Sequence, residues 1–136
     1  MKKLFLLLTA ILIVLYLFGC SKEDSNPVNP NNPTLTGVWK GTSSLSGFDL
    51  VFMDTDLSQS GASVSGNGSI KMVGVQDTFD CSVTGNNNYP NVSLTFQPNG
   101  QYQPLTFTGS FINSDSLSGK LNGSGANNWD TQFKRQ

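Results

Sequence analysis

Apolar and polar residues fall into three regimes along this chain. Leu4 to Phe18 is an unbroken apolar stretch in which only Thr9 and Tyr16 carry polar groups. Residues 21–34 are almost wholly polar. From Thr36 onward, apolar residues return at alternate positions among Gly, Ser, Thr and Asn. Period-two alternation predicts half-buried strands, and no window holds a 3.6-residue apolar period of helical length.

Eight strand-like runs follow from this pattern. The first is Thr36–Ser44, with Trp39 between Gly37 and Gly41. The second, Phe48–Leu57, is dense and contains Phe48, Leu50 and Phe52. Ser63–Val73 sets Val64, Gly66, Gly68, Ile70 and Met72 on one face, and Asp77–Gly85 does the same with Phe79, Cys81 and Val83. Asn86 to Pro90 reads as a turn cluster. Asn91–Gln97, Pro104–Ile112, Ser116–Gly125 and Asn128–Arg135 complete the set. Parallel neighbours need crossovers of about a dozen residues, and the links are too short for them. The predicted fold is therefore all-β, an antiparallel meander. Closing it into a single eight-stranded up-and-down barrel hides both sheet edges and buries one face. The inward glycines suit sharply coiled strands. An open β-sandwich is the alternative.

The apolar stretch at residues 4–18 spans roughly 22 Å as a helix, against about 30 Å of bilayer hydrocarbon. With Lys2 and Lys3 before it, it reads as a signal-peptide core rather than a permanent membrane span. Leu17-Phe18-Gly19-Cys20 resembles the lipobox of bacterial lipoproteins, with Leu17, Gly19 and Cys20 at its defining positions. That resemblance implies cleavage before Cys20 and a diacylglyceryl thioether on its sulfur. It implies no other cofactor. Two or three acyl chains hold stably where one is marginal, at about 0.8 kcal/mol per buried CH₂. Lys22, Glu23 and Asp24 are similar to an export signal of some Gram-negative lipoproteins. It implies the outer membrane and exposure at the cell surface; the periplasmic leaflet is the alternative.

Three prolines between Ser25 and Pro33, set among Asn and Ser, favour a solvated polyproline-II spacer. Residues 21–34 could hold a domain up to roughly 40 Å from a membrane surface. The expected organisation is a signal peptide at 1–19, a lipidated N-terminus and flexible Asn/Pro linker at 20–34, and one β-barrel domain at 35–136.

Gly37-Val38-Trp39, opening the first run, is similar to the Gly-x-Trp of lipocalin-like and avidin-like barrels. In those families the tryptophan closes the barrel floor, which makes Trp39 a candidate floor residue. No further motif carries a binding position across.

Charge and chemistry narrow the function classes. Without residues 1–19 the chain has 6 basic and 9 acidic residues, a net charge of −3. The scattered cations Lys40, Lys71, Lys120, Lys134 and Arg135 offer no face for nucleic acid. Lys134-Arg135 reads as a solvated terminus. There is no histidine, so His-dependent triads are excluded, and zinc would lack its usual ligands. Cys81 lies on an apolar alternation and reads as a small buried hydrophobe. Asp54 with Asp56, and Asp77 with Asp80, could serve a cation or acid–base chemistry, but read better as solvated positions. Tyr89, Tyr102 and Phe48 near strand ends form a candidate contact patch. The expectation is a non-enzymatic surface module, anchored to a membrane by lipid. Its partner is a protein, a glycan or a small apolar molecule. The alternatives are a small apolar-ligand carrier of lipocalin type and a protease inhibitor.

Overall fold

A computed structural model describes residues 31–136. Leu17, Gly19, Cys20, Lys22, Glu23 and Asp24 lie outside the described residues, as does most of the linker. The strands are β1 (Gly37–Leu45), β2 (Phe48–Ser60), β3 (Ser63–Met72), β4 (Thr78–Asn88), β5 (Asn91–Pro98), β6 (Leu105–Asn113), β7 (Ser116–Gly123) and β8 (Ala126–Arg135). Each pairs antiparallel with the next, and β8 pairs with β1 from Trp39↔Arg135 to Ser44↔Asp130. The molecule is thus a closed eight-stranded up-and-down barrel of lipocalin-like type, not an open sandwich. Every ladder is satisfied by a neighbour, so no strand edge is exposed.

Alternation decides which side chains line the interior. On β2 the buried positions are Val51, Met53, Thr55 and Leu57, while Asp54 and Asp56 face solvent. Phe52 shares the parity of those carboxylates and is exposed, whereas the register shift at Leu50 sets Phe48 opposite Leu45, exposed at the strand's start. A one-residue slip would bury the phenylalanine of Phe52 at the cost of sinking two unpaired charges, and the charges win. Leu50 is half-buried at the strand's start.

The interior is filled. Phe96 stacks on Phe133 with ring centroids 5.9 Å apart, and Phe107 meets Phe133 edge-on at 5.1 Å. Met53, Ile70, Leu94, Leu105 and Leu121 are fully buried around them. A barrel of eight strands is narrow enough for side chains alone to fill it. Three hydroxyls are buried with this core: Ser43 Oγ and Thr131 Oγ1 lie 2.8 Å apart, and Thr55 Oγ1 donates to the Trp39 carbonyl at 3.3 Å.

Turn chemistry sets the connections. Ser46-Gly47 and Ser124-Gly125 each carry two successive positive φ angles, the geometry of two-residue hairpins between right-twisted strands. The asparagine cluster behaves differently from its composition. Asn86, Asn87 and Asn88 belong to β4, and the turn is confined to Tyr89-Pro90, joined by a cis peptide bond. Asn86 and Asn88 point to solvent, whereas Asn87 points inward and finds polar partners there. Pairing with β5 outweighs the turn preference of asparagine.

Candidate functional site

The barrel has two unlike ends. At one end the chain enters, and residues 33–36 lie across the opening. Leu35 is fully buried there as a plug. Its carbonyl accepts a 2.8 Å hydrogen bond from Trp39 Nε1, and its N–H donates to Gln59 Oε1 at 2.8 Å. Asn87 Nδ2 donates to the Pro33 carbonyl at 2.9 Å and to Gln59 Oε1 at 3.0 Å. Trp39 is fully buried at this floor, edge-on to Phe111 at 6.4 Å. Tyr89 packs on the other side of Phe111 at 5.8 Å.

Arg135 completes the floor. Its guanidinium carbon sits 4.4 Å from the Trp39 ring centroid, a cation–π contact. Nε donates to Asp115 Oδ1 at 3.0 Å, and the two terminal nitrogens donate to the carbonyls of Thr36 and Thr34. The arginine side chain is only 24% exposed. It is therefore a structural clamp rather than a solvated terminus. Its place was readable in principle, since parity along β8 puts residues 129, 131, 133 and 135 on the inner face. Its position next to the final residue and beside Lys134 hid this.

The other end is the mouth, ringed by the links after β1, β3, β5 and β7. A cavity of about 170 Å³ opens there, lined by Leu50, Met72, Val73, Val75, Leu105 and Trp129, with Val51, Ala126 and Ser124. Around it stand Phe48, 72% exposed, and Val73, 58% exposed. Tyr102 leans on Phe79 with centroids 4.6 Å apart. The three aromatics grouped from sequence thus divide. Phe48 and Tyr102 belong to the mouth, and Tyr89 belongs to the floor.

The outer wall is polar. Asp54 pairs loosely with Lys40 at 3.8 Å, both well exposed, so the Asp54–Asp56 pair lies on a solvated face. Asp77 and Asp80 are likewise exposed. Among the described residues no group of three or more His, Cys, Asp or Glu comes together.

Cys81 is 4% exposed on the inner face of β4. Burial pushes its thiol up to about 11; the charge of Asp80 adds to this, and a backbone hydrogen bond at Gly68 opposes it. The folded state holds the thiol proton to higher pH than the unfolded chain does. Stability contributed by this group is therefore present below the unfolded pKa and is lost as pH rises towards about 11. We expect the urea midpoint to fall over that alkaline range, and to fall less in Cys81→Ala. Reaction with an aromatic disulfide reagent at pH 8 should be slow when folded and fast in urea; equal rates would contradict a buried thiol.

No family model, no curated protein and no solved structure matches the chain.

Proposed function

We propose that this protein is a lipid-anchored envelope lipoprotein whose barrel acts, without catalysis, as an interaction module through its mouth. One observation carries the reading. Leu35 plugs the end where the chain enters, and although Val38, Tyr89 and Ile112 are exposed around it, the opposite end pairs its exposed Leu45, Phe48, Val73 and Val75 with an apolar-lined cavity. Contiguous exposed apolar surface on a small domain marks a contact site more often than chance packing. The lipobox-like Leu17-Phe18-Gly19-Cys20 and the Lys22-Glu23-Asp24 cluster support acylation of Cys20 and display at the outer surface of the outer membrane.

A carrier of small apolar molecules fits less well. Pockets for such ligands run to about 300–1,000 Å³, and the mouth cavity is about 170 Å³. Inhibition of a secreted protease rests on fold-level analogy alone.

The anchor is tested by labelling with radioactive palmitate in a Gram-negative host. The full chain should incorporate label and Cys20→Ala should not. Replacing Lys22, Glu23 and Asp24 together with alanine should keep the label but remove protease accessibility on intact cells. Label retained by Cys20→Ala would end the lipoprotein reading. The module is tested by placing a photo-crosslinking amino acid at Val75, on the mouth, or at Thr84, on the outer wall. Adducts should form from position 75 and not from 84. Adducts from neither, or from both equally, count against the mouth.

A further inference from the structure

The mouth has a charge as well as an apolar floor, and together they describe what fits it. Residues 31–136 carry seven aspartates against five lysines and arginines. Three pairs cancel: Lys40 with Asp54, Lys120 with Asp130, and Arg135 with Asp115. Lys134 and Asp56, both on the outer wall, offset each other in sign. What remains is Asp49, Asp77 and Asp80 against Lys71. All four lie at the mouth end of β2, β3 or β4 or in the link between β3 and β4, all are exposed, and none joins an ion pair among the described residues. The mouth end is therefore net negative by two charges, with Asp49 on the outer-wall groove that Lys40 and Lys134 also line.

Size narrows the occupant further. A cavity of about 170 Å³ takes one side chain of leucine to phenylalanine size, not a whole acyl chain or a fused-ring ligand. The exposed Phe48 and Val73 beside it could then cover the backbone that carries that side chain.

We infer that the mouth docks a protein segment presenting one large apolar side chain flanked by lysine or arginine. This rests on the interaction-module reading above and adds the chemistry of the partner. Charge decides against the other occupants. Mouth-to-mouth pairing of two copies would set these aspartates against one another, and an anionic bilayer would repel them too. A basic flank does the reverse, and it steers the encounter at a distance of about one Debye length, roughly 8–10 Å.

The test uses the purified full-length chain in neutral detergent and fluorescein-labelled peptides, read by anisotropy. The probe is Gly-Lys-Lys-Phe-Lys-Lys-Gly. Its two controls replace the Phe by Ser, or every Lys by Glu. Saturable binding of the probe is expected, weakening with salt, with each control at least about tenfold weaker. Val75→Asp should lose probe binding at least about tenfold. A double variant, Asp49→Lys with Asp77→Lys, keeps the apolar cavity and should reverse the preference in favour of the Glu peptide. Equal binding of the Phe and Ser peptides, indifference to peptide charge, no reversal, or no binding by about 1 mM would each overturn the inference. So would stronger association with phosphatidylglycerol vesicles or a mouth-dependent dimer. Crosslinks from Val75 in cells together with any of these results would leave the module reading intact and remove only the partner assigned here. Absent crosslinks would remove the module itself.

Discussion

Trp39→Ala is expected to cost the domain about 3–5 kcal/mol, the range for emptying a buried large aromatic site. Against a total of about 5–15 kcal/mol for a domain, that loss leaves a marginal fold. Three separate contacts add up here. The ring is fully buried against Phe111, its face receives the Arg135 guanidinium, and its Nε1 holds the Leu35 carbonyl. Removing the indole leaves a void between floor and core, which the closed ladder of eight strands resists collapsing. For a domain of this size each kcal/mol shifts the melting temperature by about 4–8 °C, so a drop beyond about 12 °C is expected. Trp39→Phe should keep much of the packing but lose the hydrogen bond. Arg135→Met should cost less than Trp39→Ala, because it removes the clamp and leaves the ring. The discriminating readout is amide exchange at residues 34–36, which should accelerate in Arg135→Met well before the barrel melts. A melting shift under about 3 °C for Trp39→Ala would mean the floor does not hold the barrel shut.

Gly119→Val is the second large effect, and it runs against ordinary strand preference. Valine favours strands where its branches meet a pleated surface with room. Gly119 pairs directly with Gly109 across the β6–β7 ladder. A Cβ there would sit 2.2 Å from the Thr108 carbonyl oxygen, 2.5 Å from the Gly109 Cα and 2.8 Å from the Phe107 ring. Two of those three neighbours are backbone, which cannot swing aside. The ladder must separate or the Phe107 ring must leave its place against Phe133. Overpacking of this kind costs about 1–3 kcal/mol and more when backbone must move, so a loss of at least about 3 kcal/mol is expected in a urea titration. Thr108→Val, on the exposed outer side of the same ladder, should stay within about 0.5 kcal/mol of the parent. Near-equal stability of the two variants would show that these strands do not approach as closely as described.

The barrel was legible because its code is local and repeated. Val92, Leu94 and Phe96, then Leu105 and Phe107, each mark an inner face without reference to any other strand. Short links then forced antiparallel neighbours, and the edge problem forced closure. Where the pattern misled, parity along a strand or a non-local contact was responsible. Phe52 looks like core until the parity of Asp54 and Asp56 is counted along the same strand. Asn87 looks like a turn residue until Pro33 and Gln59, distant in sequence, supply its partners. Arg135 acts through a ring ninety-six positions earlier, a pairing visible only once β8 closes on β1. The mouth was half legible. Phe48 and Tyr102 stood out as exposed aromatics, but their assembly with Leu50, Met72, Val75 and Trp129 depends on which links share an end. The proposed lipid anchor rests on residues 17–24 as sequence.

The way the chain meets the floor has a mechanical consequence. Any pull transmitted along the residues before Pro33 arrives at a segment bolted to β2 through Gln59, to β4 through Asn87 and to β8 through Arg135. Tension is thus shared among three staves of the cask instead of peeling β1 away pair by pair.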